Sequence, residues 1–145
     1  MVNETRAVIA ELGGPSALRR RLRTEADLQA AIREGFPPLV VGTVMRAAGL
    51  SLKELARSLD VSPRSLQRRS HTGRLASRES DRLYRLARIV ALAKEYLGNG
   101  ELAARWLRHP NRALGGKQPL EVLDTEPGAR SVENVLGRIA YGGIS

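Results

Sequence analysis

A run of polar residues between positions 64 and 69 carries the side-chain types that read or hold DNA. Arginine and glutamine form paired hydrogen bonds with base edges, and arginine and serine also bind phosphate oxygens. The alternative is a solvated basic helix that binds nothing. The residues that we assign to DNA binding, within this run and beside it, are Lys53, Ser62, Arg64, Ser65, Gln67, Arg68, Arg69 and Arg74.

No set of residues has the spacing of a catalytic or metal site. The two histidines, His71 and His109, lie far apart, and neither has a serine or metal-ligand companion at useful spacing. The paired glycines match neither a dinucleotide fingerprint nor a phosphate loop. We therefore expect no catalytic residue, no metal and no cofactor. The chain also lacks cysteine, which suits a cytoplasmic protein.

Two short helices with a tight turn between them are predicted to position the DNA-binding residues. Ser51 and Glu54 have the spacing of a capping box, in which each side chain accepts a hydrogen bond from the other's backbone N–H. Ser62 is the predicted N-cap of the second helix, and Pro63 suits its first position. This pattern is typical of a helix-turn-helix. The first helix buries one apolar face, formed by Leu52, Leu55, Ala56 and Leu59.

The positive charge of the chain is concentrated around this predicted helix-turn-helix. The formal net charge is +9 at pH 7. Residues 51–97 contain eleven Lys and Arg against five Asp and Glu, whereas the flanking segments are nearly balanced. A phosphate-binding surface needs such a local excess. A membrane-surface patch is the competing interpretation, but the sequence has no lipidation motif and no apolar run of roughly 18 residues, so we expect no membrane contact.

Further helices are predicted on both sides of this unit. Residues 39–48 form the helix before it, and residues 77–97 form a long helix that Ser77 is expected to cap. The long helix has a broad apolar stripe, which serves either as core alone or partly as a self-association surface. Nearer the N-terminus, a helix is expected to stop at Gly13-Gly14-Pro15, and Thr24 with Asp27 is expected to cap another.

A basic run at residues 18–23 has two possible roles. It contains Leu18-Arg19-Arg20-Arg21-Leu22-Arg23, a density of arginine that suits contact with a DNA backbone. The alternative is a solvated arm, since runs of like charge commonly face water. The sequence favours the solvated arm.

The C-terminal third is predicted to form short helices separated by turns. Trp106 lies in the first of them, either as a core anchor or as a contact for a partner. A break is expected at Glu126-Pro127-Gly128, before a last amphipathic helix. The chain then ends Tyr141-Gly142-Gly143-Ile144-Ser145, which suits insertion into a cleft because glycines permit close approach and Tyr and Ile are apolar anchors. The alternative is that these residues fold back on the core.

The C-terminal residues also resemble a known family. The motif WL-xx-PN-xx-LG-xxx-PL, with Trp106, Asn111, Leu114 and Pro119, is similar to the toxin-binding domain of the Xre/MbcA/ParS antitoxins. The resemblance continues through Gly128, Val132, Leu136, Ile139 and Tyr141-Gly142, and it extends over residues 24–145. One departure is Gln118 before Pro119, where similar proteins tend to have a small hydroxyl residue, so the start of that short helix is open.

The resemblance implies a type II toxin–antitoxin module. The implied partner is a RES-domain toxin, an enzyme that consumes NAD, and the C-terminal region of this chain covers the active site of that toxin. The helix-turn-helix is then implied to bind the operon promoter. We expect a homodimer or higher oligomer on operator DNA, since one recognition helix covers few base pairs. The residues expected at the toxin interface are Trp106, Asn111, Leu114, Gly115, Arg138, Tyr141, Gly142, Gly143, Ile144 and Ser145.

The expected fold is therefore all-α, in three segments. Residues 1–37 form an N-terminal helical arm, residues 38–97 the helix-turn-helix with its long following helix, and residues 98–145 the toxin-binding domain. The alternative function is a freestanding transcriptional regulator whose C-terminal domain dimerises or senses a ligand. A neighbouring gene for a RES-type toxin favours the first function.

Overall fold

The computed structural model describes residues 3–71 and 73–142. The secondary-structure elements in this part of the chain are all helices, which confirms the all-α prediction. Two 3-10 helices, Arg112–Leu114 and Pro119–Val122, lie between the last two α-helices. The α-helices in chain order are α1 Asn3–Leu12, α2 Gly14–Leu18, α3 Glu25–Glu34, α4 Leu39–Ala48, α5 Leu52–Ser58, α6 Pro63–His71, α7 Ser77–Leu97, α8 Gly100–Arg108 and α9 Glu126–Gly142.

The long helix α7 lies at the centre of the molecule. It packs against α1, α3, α8 and α9, which together cover its apolar stripe. Leu83, Leu86 and Ile89 are at most 1% exposed, so this part of the stripe is core. Leu97, at the end of the stripe, is half-buried, and a self-association surface there stays a prediction. Arg85 joins α7 to α9, with its Nε 2.9 Å from Glu126 Oε2. A helix enclosed on several sides fixes the relative positions of all the elements that touch it.

The N-terminal segment is part of the same core. Val8 and Leu12 of α1 are buried, and α1 packs along both α4 and α7. The helix stops before Gly13, as expected, where φ is +108° and a Cβ atom would lie 2.4 Å from that of Ala17. A second short helix, α2, follows immediately and was not predicted. Residues of all three expected segments contribute to one hydrophobic core, and the division at residues 37 and 97 stays a prediction.

Most of the predicted helix caps are present. Ser51 with Glu54, and Thr24 with Asp27, form complete capping boxes. The prediction that Ser77 caps α7 is wrong by one residue, because the N-cap is Ala76. The side chain of alanine has no hydrogen-bond acceptor. The side-chain hydrogen bond at this terminus is made by Glu79 instead, whose carboxylate accepts from the Ala76 N–H at 2.8 Å.

The expected break at residues 126–128 is wrong, because these residues form the first turn of α9. Thr125 caps it: its hydroxyl accepts a hydrogen bond from the Gly128 N–H at 3.1 Å. A proline in the first turn loses no helical hydrogen bond. Gly128 is needed for another reason, since a Cβ atom there would lie 1.7 Å from the Val122 carbonyl oxygen. A Pro-Gly pair that suggests a turn therefore begins a helix instead.

Candidate functional site

Helices α5 and α6 form the predicted helix-turn-helix. The turn after α5 is closed by the Val61 N–H, which donates to the Ala56 carbonyl at 3.0 Å, while Asp60 adopts a positive φ of 55°. Leu59 and Leu66 are fully buried and fasten both helices to the core. The positive φ lets the chain reverse in a short space, so that α6 packs back against α5.

Arg82 of α7 holds this turn from behind. Its guanidinium donates to the Leu59 carbonyl at 2.8 Å and lies 3.7 Å from the Asp60 carboxylate. The Leu59 carbonyl lies at the C-terminal end of α5, where a positive group is favoured. Arg82 was not predicted as a site residue, because its partners lie more than 20 positions away and no local pattern identifies them.

The predicted DNA-binding residues divide by what their side chains do. Arg64, Gln67 and Arg68 are exposed on α6, and Lys53 is exposed in the first turn of α5. Among these, Arg64, Gln67 and Lys53 remain available to a groove or to phosphates. The Ser62 hydroxyl accepts from the Ser65 N–H at 3.1 Å, so Ser62 caps α6 as predicted.

Arg69 points to a different partner from the rest of α6. Its guanidinium forms an ion pair with Glu79, whose side chain is only 3% exposed. Burial raises the pKa of Glu79, but hydrogen bonds from Arg69 and from the Ala76 N–H more than offset this, and the pKa lies below its ordinary value. Arg69 thus neutralises a buried carboxylate, and its role in DNA binding stays a prediction.

Arg74 follows α6 and connects it to α3. Its Nη1 donates to the Gly35 carbonyl at 2.9 Å, although the side chain as a whole is exposed. The remaining guanidinium donors can still reach a phosphate. Arg74 therefore lies at the edge of the α6 surface, held in a defined position.

The predicted toxin-binding residues of the loop between α8 and α9 are arranged by Asn111. Its side-chain oxygen accepts from the Ala113 N–H at 2.9 Å, and its backbone N–H donates to Lys117 O at 2.9 Å. Leu114 is half-buried, while Gly115 is exposed at a φ of 68°. Asn111 holds this loop closed, and Arg112, Gly115 and Lys117 are exposed on it. The 3-10 helix after the loop begins at Pro119, as expected despite Gln118.

Trp106 lies beside a shallow groove on α8. The groove has a volume of about 380 Å³ and is lined by Leu97, Leu102, Arg105, Trp106 and His109. Trp106 is half-buried and packs against the core, whereas Leu102 is 42% exposed. Trp106 therefore both supports the fold and presents an apolar edge to the surface.

The C-terminal end of α9 is markedly exposed. Tyr141 is 84% exposed, and its ring meets Tyr96 edge to face with centroids 6.1 Å apart. Arg138 and Gly142 are also exposed. Gly143, Ile144 and Ser145 lie outside the described residues. Tyr141 is thus placed beside α7 without being covered by it.

Within residues 3–71 and 73–142, no helix is long and apolar enough to cross a membrane. The same part of the chain has no group of three or more histidine, cysteine or acidic residues that could hold a metal ion. The predicted binding residues lie on two surfaces, one around α6 and one formed by α8, its following loop and the end of α9.

Comparisons with known proteins match these two surfaces separately. Residues 27–88 match a family described as the antitoxin Xre-like helix-turn-helix domain. Residues 92–142 match the antitoxin Xre/MbcA/ParS C-terminal toxin-binding domain. The match boundaries enclose α4–α6 in the first case and α8 with α9 in the second.

Whole-chain similarity points in the same direction. A protein named Antitoxin Xre from Yersinia enterocolitica is 31% identical over 144 residues, which span 98% of this chain and 93% of that protein. A protein of the same name from Photorhabdus laumondii is 34% identical over 120 residues, 81% of each chain. A Sphingobium protein named Prs ADP-ribosylating antitoxin is 30% identical over 80 residues, 49% of this chain and 50% of that protein.

Proposed function

This chain belongs to the Xre antitoxin family, and on that premise we propose that it neutralises a RES-domain toxin and represses its own operon. The toxin consumes NAD, and the antitoxin blocks it by covering the active-site cleft. The same molecule binds the operon promoter through α6. Both activities take place in the cytoplasm, where NAD and the chromosome are available.

The exposure of Tyr141 is the observation that carries the toxin-binding proposal. Val135 and Leu136, one to two turns earlier on α9, are at most 2% exposed, whereas Tyr141 is 84% exposed. A large aromatic ring left in water gains hydrophobic free energy when a partner covers it, and tyrosine is enriched among binding hot spots. The toxin therefore contacts the end of α9, and residues 143–145 follow Tyr141 and Gly142 into the cleft.

The name of one relative supports a partner that uses NAD. The Sphingobium protein is named as a Prs ADP-ribosylating antitoxin. ADP-ribosylation uses NAD as the donor of the ADP-ribose group, so an NAD-binding cleft is a reasonable target for this chain too. A RES-domain partner and an ADP-ribosylating partner differ in product, and that difference can be measured.

Co-expression with the product of the neighbouring gene tests this function. We expect the neighbouring protein alone to stop growth and lower cellular NAD, and we expect a tagged copy of this chain to restore both and to retain the toxin in a pull-down. Covalent transfer of ADP-ribose from NAD to a target protein, with release of nicotinamide, would replace the RES assignment. Failure to bind or protect would reject the antitoxin–toxin pairing with that neighbour.

The exposed face of α6 supports promoter binding. Arg64 and Gln67 are types that form bidentate hydrogen bonds with guanine and adenine, and Lys53 is placed for a phosphate. A single recognition helix covers few base pairs, so the operator is bound by a dimer whose two helices lie about one DNA turn apart. Light scattering of the protein alone and on operator DNA measures this, and a strictly monomeric protein in both states contradicts it.

A further inference from the structure

We propose that the basic run Arg19–Arg23 is a second phosphate-binding segment that extends the DNA surface of α6. The partner is the DNA backbone flanking the site that α6 reads. This inference rests on the proposed DNA binding and assigns a role to a segment that lies before residue 27, where the matched helix-turn-helix region begins.

The first argument is position. Arg20 forms an ion pair with Glu34, the last residue of α3, and Arg74 donates to the carbonyl of the next residue, Gly35, at 2.9 Å. Neighbouring Cα atoms are about 3.8 Å apart, so both guanidinium groups are anchored at one end of α3. Arg74 comes three residues after His71, the last residue of α6. The basic run therefore lies next to the segment by which the chain leaves the recognition helix.

This junction is firmly held. The Leu75 N–H donates to the Phe36 carbonyl at 2.9 Å, and the Phe36 N–H donates to the Ser80 hydroxyl at 2.8 Å. A Cβ atom on Gly35 would lie 2.0 Å from the Leu75 carbonyl oxygen, so the two segments are in direct backbone contact. Residues 34–36 and 74–76 thus form one surface rather than two independent loops.

The second argument is unused charge. Arg19, Arg21 and Arg23 are exposed, and within the described residues their side chains form no ion pair. Arg33, in the last turn of α3 next to Glu34, is also exposed. The phosphates of one DNA strand recur about every 3.4 Å along the axis, so several arginines on one surface can meet several phosphates.

The third argument is the backbone of Arg19. This residue ends α2 with φ 59° and ψ 25°, the left-handed conformation in which glycine is the ordinary residue. An arginine there is held in a disfavoured conformation, and nothing among the described contacts of its side chain compensates for it. Replacement by glycine therefore relieves strain and removes a charge at the same time.

The variants Arg19→Gly and Arg21→Ala test the inference. Binding is measured by fluorescence anisotropy on a labelled 30-bp duplex of mixed sequence at several salt concentrations. For each variant we expect the slope of log K against log salt to become less negative by about 0.9, which corresponds to roughly eightfold weaker binding at 0.1 M salt. We expect Arg19→Gly to keep or raise the Tm, and Arg19→Lys to retain the slope of the wild type.

Arg112→Ala is the matched control, since Arg112 is exposed on the loop after α8. Its slope should equal that of the wild type. If Arg19→Gly and Arg21→Ala keep the wild-type slope while Arg74→Ala weakens binding, the inference is overturned and DNA binding stands. An equal loss in Arg112→Ala also overturns it, because the effect is then one of net charge. A wild-type protein that binds no DNA removes both proposals.

Discussion

Arg108 and Glu54 form an ion pair that fastens α8 to the start of α5, with Arg108 Nε 2.6 Å from Glu54 Oε2. The Glu54 carboxylate also accepts from the Ser51 N–H at 2.9 Å, so one side chain completes a capping box and receives the arginine. Arg108 donates in addition to the Gly49 carbonyl at the end of α4. The helix that carries Trp106 is thereby joined to the entrance of the helix-turn-helix.

The first prediction concerns the pH dependence of this ion pair. The hydrogen bond from Arg108, together with that from Ser51 N–H, lowers the pKa of Glu54 to about 2. A carboxylate with a lowered pKa stabilises the fold above its unfolded pKa of about 4.3, and this stabilisation is lost as pH falls towards 2. Because the group is partly exposed and screened, we expect Glu54→Gln to lower the free energy of unfolding at pH 7 by only about 1 kcal/mol.

Urea denaturation of the wild type and Glu54→Gln at pH 7 and pH 2.5 measures this effect. The difference between them should shrink at the lower pH, since the wild-type carboxylate is then becoming neutral. Glutamine can still accept the capping hydrogen bond, which isolates the charge. Glu101→Gln, in an exposed pair with Arg105, is the control and should change little. A difference that is the same at both pH values would contradict the prediction.

The second prediction separates stability from DNA binding on α6. Arg69→Ala leaves the buried Glu79 carboxylate without its charged partner, and we expect a loss of about 1–3 kcal/mol in the free energy of unfolding. Arg64→Ala, on the exposed face, should leave stability within about 0.5 kcal/mol of the wild type. Denaturation by urea provides both values. If the two variants were equally stable, a structural role of Arg69 would be refuted. The double variant Arg69→Ala/Glu79→Gln should recover part of the lost free energy of unfolding.

The third prediction distinguishes base contacts from phosphate contacts. Arg64→Ala and Gln67→Ala should each weaken operator binding by about 1–3 kcal/mol and leave binding to unrelated DNA much less affected. Arg74→Ala should weaken both to a similar extent, because phosphates carry no sequence information. Anisotropy titrations on the two duplexes provide the comparison. Operator binding as tight as that of the wild type in every variant would rule out α6 as the recognition helix.

The fourth prediction is that toxin neutralisation and DNA binding can be separated. Deletion of residues 141–145 removes an exposed tyrosine and no buried residue of the described α9, so we expect a folded protein that still binds its operator. It should no longer protect cells from the co-expressed toxin. Arg64→Ala is the reciprocal variant and should protect cells fully while binding the operator more weakly. If the deletion variant protects fully, the toxin contact lies elsewhere, on the surface around Asn111 and Leu114.

The sequence by itself determined the helices and most of their ends. A capping box depends on residues three positions apart, so Ser51 with Glu54 and Thr24 with Asp27 could be recognised without any tertiary information. The apolar spacing of α5 and α7 predicted their buried faces for the same reason. The identity of the exposed residues on α6 follows once Leu66 is recognised as its buried side.

Only the tertiary structure decided which charged side chains are free to bind and which are used internally. Arg69 and Arg64 are indistinguishable by type and lie in the same short helix, yet Arg69 meets Glu79 from α7. Gly128 looks like a helix breaker until the Val122 carbonyl is brought against it. These outcomes depend on contacts between helices, whose geometry is fixed by packing of the shared core, and short-range sequence patterns carry no record of that packing.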